Sequence, residues 1–106
     1  MSILTIIVFI SFGNITNMAS FDIIKLKQIF SALNNEKRLK IIELCSEKSY
    51  NITQLSKKIQ LDYSVTIEYV SMLNKVQLIE KRRNEDRTVS IKSLIRINNN
   101  GEIKRI

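Results

Sequence analysis

Between Thr53 and Ile91 the spacing of apolar residues changes period, and that change limits what this chain can fold into. Leu55 and Ile59 stand four apart; Thr66, Val70 and Leu73 follow at four and three, with Tyr69 and Val76 flanking. That is the spacing of one helical face. After Leu78 and Ile79 the period becomes two. Val89 and Ile91 alternate with Thr88, Ser90 and Lys92, the pattern of a strand with one buried face. Asn84-Glu85-Asp86 supplies turn chemistry between the two arms. The segment therefore predicts a short helix from Thr53 to about Gln60, a tight turn at 61–64 with Asp62 as N-cap, a helix over Tyr63 to Lys75, and a hairpin.

Two more helices precede these. Ile23, Leu26, Ile29, Phe30 and Leu33 form one apolar stripe, with Ser20 as N-cap and Asp22 in the first turn, where the macrodipole favours a carboxylate. Asn34-Asn35 interrupts that helix and caps the next, which runs from Glu36 to about Lys48. Leu39, Ile42 and Cys45 lie on one line of it, beside Ile41 and Leu44. Cys45 reads as a small buried hydrophobe. Tyr50-Asn51-Ile52 breaks the period.

Composition narrows the chemistry. The 106 residues allow one core. The chain has no proline and only two glycines, which suits packed helices. There is no histidine and one cysteine, so no zinc site can form within one chain and no thiol–histidine nucleophile exists. A lone cysteine also makes a reducing compartment, the cytoplasm, the default. Glu43 and Glu47 read as a solvated helix face, and no glycine-rich phosphate loop is present. The sequence thus offers no catalytic constellation and implies no cofactor.

The net charge is +7, and it is uneven. Residues 1–17 carry no charge; residues 80–106 carry eight basic and four acidic groups. Such a balance favours a polyanion, and nucleic acid over membrane because no basic amphipathic helix accompanies it.

Residues 1–19 are expected to be an apolar extension, either foreign to the native protein or disordered. Three readings of it stand: a docked strand or helix that adds to a dimer core, a weak membrane anchor, or a stretch ahead of a true start at Met18. About eleven apolar or small residues are too few to span a bilayer as a helix, which takes roughly twenty. Residues 20–92 form the functional domain. Residues 93–106, "SLIRINNNGEIKRI", form a C-terminal arm or tail, with a further hairpin turning at Asn100-Gly101 as one reading.

The predicted fold is mainly α with a small β-hairpin: a winged helix-turn-helix. From Phe30 to Ile91 the chain resembles the ArsR-like winged-helix regulators. "FSALNNEKRLKIIELC" is similar to that family's opening, and "NITQLSKKIQLDYSVTIEYVSMLNKVQLIEKRR" is similar to its helix-turn-helix. The resemblance implies a homodimeric transcriptional regulator of double-stranded DNA, with the helix at 63–75 in the major groove and the wing at 80–91 on the backbone or minor groove. It departs from the family at Glu68, where a basic residue is usual, and at Ile67, where a short polar one is. Gln77 stands where a glycine is favoured for a left-handed turn, and the wing tip is acidic. "ELC" at 43–45 is similar to part of the metal box of arsenic-sensing members, but the second cysteine is missing, so metal sensing is not implied and no effector is.

On this reading Tyr63, Ser64, Ile67 and Ser71 meet base edges, an apolar group packing on a thymine methyl and hydroxyls bonding either strand. Lys57, Lys58, Lys75, Lys81, Arg82, Arg83 and Arg87 meet phosphates. The alternative is a protein-binding winged helix, in which Tyr63, Ile67 and Glu68 dock a partner and the basic hairpin is edge protection.

Overall fold

A computed structural model of the chain describes residues 22–106. The readings of residues 1–17 and of Ser20 fall outside that range. Among the described residues four helices come first: α1 (Ile23–Leu33), α2 (Glu36–Glu47), α3 (Ile52–Ile59) and α4 (Tyr63–Lys75). Two hairpins follow, β1 (Ile79–Arg83) with β2 (Val89–Ser93), and β3 (Ile95–Ile97) with β4 (Ile103–Arg105). The C-terminal residues are therefore a second hairpin, one of the readings the sequence left open.

Local chemistry sets each helix start. Asp22, expected in the first turn, is instead the N-cap of α1, its side chain accepting from the Lys25 N–H at 3.2 Å. Asn35 caps α2 through the Arg38 N–H. Asn51 and Gln54 close a reciprocal capping box on α3, at 2.8 and 2.9 Å, which starts that helix at Ile52 rather than Thr53. Asp62 departs from expectation: it stands at the N-cap of α4, but its carboxylate makes no cap bond. Its backbone carbonyl instead accepts from both the N–H and the hydroxyl of Thr66, each at 2.9 Å. That bond gives the fully buried Thr66 hydroxyl its partner.

The core joins all the helices to both hairpins. Ile41, Ile42, Cys45, Leu55, Val70, Leu73, Ile91 and Ile95 are fully buried. Each large aliphatic side chain among them contributes about 1.5–3 kcal/mol of hydrophobic stabilisation. Leu39, expected on the inner line of α2, is exposed. The line that packs inward is Arg38, Ile41, Ile42 and Cys45, at i, i+3, i+4 and i+7, and Leu39 lies to one side of it. In α1 the stripe is covered from Leu26 onward: Leu26 and Leu33 are buried and Ile29 and Phe30 half-buried, while Ile23 is 62% exposed.

The wing is tied to the helices by backbone. Tyr50 exchanges two hydrogen bonds with Ile91, at 3.1 and 2.6 Å, making β2 a central strand between Tyr50 and β1. Register then sorts the basic residues. Lys81 pairs with Ile91 and Arg83 with Val89, on the face that holds buried Ile79 and Ser93. Arg82 pairs with Ser90, on the opposite face beside Glu80 and Lys92.

Burial pushes the Cys45 thiol from its ordinary 9.0 up to about 12. The unfolded thiol ionises first as pH rises, so its stabilising contribution is full below 9.0 and is lost on the way to about 12. Replacing Cys45 with alanine should cost about 1 kcal/mol in urea unfolding near neutral pH. The gap between the two proteins should narrow as pH climbs through that window.

Candidate nucleic-acid interface

The turn between α3 and α4 exists because Gln60 adopts a left-handed conformation, φ 54°. The Leu61 N–H then donates to the Ser56 carbonyl at 3.0 Å and ends α3 within one residue. With Thr66, Val70 and Leu73 turned inward, the opposite side of α4 faces out. Tyr63, Ser64, Ile67, Glu68, Ser71 and Lys75 are all exposed there, as the sequence implied. Tyr63 keeps 55% and Ile67 40% of its surface in water, so both are free to touch a partner. Asn74 and Met72, exposed on the same helix, were not singled out from sequence; an amide and a thioether at mid-helix carry little signal there.

At the far end of α4, Gln77 has φ 63°. The Leu78 N–H reaches the Leu73 carbonyl at 3.0 Å, and the Gln77 N–H reaches that of Asn74 at 3.1 Å. This is the Schellman arrangement that glycine usually makes, here at a cost of about 1 kcal/mol. It sends the chain directly into β1.

Lys81, Arg82, Arg83 and Arg87 are exposed along the wing. Arg82 donates to Glu80 at 2.6 Å, an exposed pair that orients the guanidinium more than it stabilises the fold. At the tip, Asp86 accepts from the Thr88 hydroxyl at 2.6 Å and from its N–H at 3.1 Å, which holds its carboxyl below the usual range. The Asn84 amide also donates to the Thr88 hydroxyl, at 3.0 Å. One of the two tip carboxylates is thus engaged within its own loop.

Both lysines of α3, Lys57 and Lys58, are exposed. Lys58 also lines an open groove with Glu36, Lys37, Lys40 and Glu43 of α2 and lies 5.9 Å from the Tyr50 ring. Among the described residues no group of three or more histidine, cysteine, aspartate or glutamate side chains could hold a metal.

The profile of the winged helix-turn-helix family matches residues 36–94, more than half of the chain. The chain belongs to the winged helix-turn-helix family. Solved structures of this winged helix's relatives agree. The transcriptional regulator HlyU from Vibrio vulnificus CMCP6 is 26% identical, covering 65% of this chain and 71% of its own, with TM-score 0.57. NolR from Sinorhizobium fredii is 26% identical over 65% and 68%, with TM-score 0.61. The homodimeric winged helix-turn-helix DNA-binding domain of Mb0332 from Mycobacterium bovis, described as a possible ArsR-family regulator, shares the fold at 19% identity, 65% and 63% coverage and TM-score 0.59. No curated protein matches the sequence significantly.

The bonds at the tip of this winged helix carry a test. In a carboxyl titration by NMR, Asp86 should titrate below 3.8, and Thr88→Val should return it towards that value. An unchanged Asp86 would mean the loop does not hold the carboxylate.

Proposed function

We propose that this winged helix is a DNA-binding transcriptional regulator that lays α4 in the major groove and sets the β1–β2 wing against the backbone or the minor groove. The observation that carries the reading is the pairing of an outward face on α4 with the element that follows it. Tyr63, Ser64, Ile67 and Ser71 offer an aromatic ring, two hydroxyls and an apolar group, the chemistry of base edges and thymine methyls. Glu68 and Lys75 leave that face with little net charge, whereas Lys81, Arg82, Arg83 and Arg87 stand exposed on the adjoining hairpin, and Lys57 on α3. Sequence choice and phosphate attraction thus fall on different elements. Arg82 stays available to phosphate because its pair with Glu80 is exposed and readily exchanged.

The active form in this reading is a homodimer built mainly on α1. Ile23 and Ile24, 62% and 70% exposed, are the apolar residues of α1 that its own core leaves uncovered. A two-fold contact would bury them isologously and set two α4 helices on successive half-sites. The working compartment is the cytoplasm, where a single thiol stays reduced. No helix among the described residues is long and apolar enough to cross a membrane.

Three measurements test this. Binding to random duplex should be weak and should fall steeply with salt; Arg82, Arg83 and Arg87 changed together to alanine should weaken all duplexes by a similar factor and flatten the slope by roughly one unit per lost contact. Changing Ile67 or Tyr63 should instead alter which sequence is selected from a random pool. Unchanged affinity and slope in the triple variant would reduce the wing charges to edge protection. Sedimentation equilibrium at micromolar concentration should give a dimer that Ile23→Asp dissociates; a monomeric wild type would remove the α1 interface.

A further inference from the structure

Arg38 is a charged residue buried among helices, and nothing in the reading above uses it. It is 8% exposed. Its Nε donates to the Ala32 carbonyl at 2.7 Å and its Nη2 to the Ser31 carbonyl at 3.0 Å, both at the end of α1. Its Nη1 reaches the Met72 sulfur at 3.7 Å, and its guanidinium carbon lies 4.8 Å from the centre of the Tyr69 ring; both are on α4. The side chain thus starts on α2 and touches two other helices, with no carboxylate paired to it among the described residues.

Its position runs against the field of its own helix. Arg38 is the third residue of α2, the positive end of the macrodipole, which favours acids such as Glu36. The last turn of α1 holds no basic residue, and its free carbonyls form a negative end. The guanidinium therefore serves α1. A planar fork can engage two carbonyls while its face lies on an aromatic ring, which an ammonium cannot do. The backbones of α1 and α4 approach each other little, so side chains make the link between them, and the guanidinium is the one that touches both.

We propose that Arg38 is the positioning residue of α4: it fixes the pose of that helix against the end of α1, and so aligns the outer face of α4 with the base edges. The assignment rests on the reading of α4 as the DNA-reading helix. It makes Arg38 a determinant of specificity that never touches DNA. A guanidinium on phosphate would contribute to counterion release; a buried one contributes nothing to it. If α1 is the dimer helix, the same link makes the pose of α4 depend on how α1 is seated.

The test uses the full chain with Arg38→Met, Arg38→Lys and Tyr69→Leu, each compared with wild type well below its own melting temperature. Amide hydrogen exchange without DNA should speed up at the end of α1 and in α4 and stay at wild-type rates in α3 and the wing. Exchange that is unchanged, or raised evenly over the chain, would overturn the link. Tyr69→Leu keeps the charge and removes the ring, so it reads the α4 side if the Arg38 variants do not fold; Tyr69→Phe, which loses only the hydroxyl that accepts from the Asn35 amide at 3.4 Å, should leave exchange and preference at wild-type values. With DNA, preference for a selected duplex over a random one should fall roughly tenfold or more, the effect of losing about one base contact. Affinity for the random duplex and its salt slope should not move, and lysine should not rescue the preference. A flattened slope, or full rescue by lysine, would overturn the assignment. A wild type that shows no salt-dependent binding to any duplex would instead overturn the DNA reading, and the exchange result would still judge the link.

Discussion

Two backbone hydrogen bonds between Tyr50 and Ile91 fix most of what this fold presents to a partner. They join a segment between α2 and α3 to the returning strand of the wing, across forty residues of sequence. Because a one-residue slip exchanges the faces of a strand, anchoring Ile91 in the core decides the orientation of every residue on β1. Lys81 and Arg83 then emerge beyond Ile79 on the inner face, and Arg82 takes the outer one. The bridge also leaves β1 as an edge strand. Its row of cations serves against strand-to-strand association whether or not a polyanion is present.

Much of this was legible in sequence because local and tertiary demands agree there. Thr66, Val70 and Leu73 are buried as the period of α4 requires, and Gln77 takes the left-handed turn that its place between helix and strand demands. What was not legible depended on partners distant along the chain. Tyr50 looked like a break between helices because its strand partner, Ile91, lies far along the chain. Arg38 drew no reading of its own, and Leu39 beside it looked like a core residue. Their exchange of roles follows from carbonyls on α1 and a ring on α4, which no periodicity encodes. Asp62 failed as a side-chain cap for a related reason: a buried hydroxyl four residues on uses the backbone at that position. The outer face of α4 was legible as a surface, since exposure follows from the period, but the groove that Lys58 shares with α2 required knowing where α2 lies.

The proposed interface divides its labour along the chain. α4 is nearly uncharged on its outer side, so what it can contribute is shape, apolar contact and hydroxyl hydrogen bonds, all of short range. The wing carries guanidiniums that act over a Debye length, about 8 Å at physiological ionic strength. An encounter steered by the wing would therefore precede any reading by α4. Such an order suits a protein whose affinity for any duplex is modest and whose preference lies in a few side chains.

The two hairpins offer an internal comparison. In both, an asparagine opens the loop, its N–H bonding to the carbonyl four residues on and its own carbonyl accepting from the N–H three residues on. These are Asn84 with Thr88 and Arg87, and Asn98 with Glu102 and Gly101. The left-handed residue is Gly101 in one, at φ 80°, and Arg87 in the other, at φ 71°. Glycine accepts that backbone freely, and arginine bears a strain of about 1 kcal/mol there. Relaxing the wing tip to glycine would thus remove one of its cations, so at a single residue stability and charge are alternatives. The C-terminal hairpin takes the relaxed backbone, and the wing takes the charge.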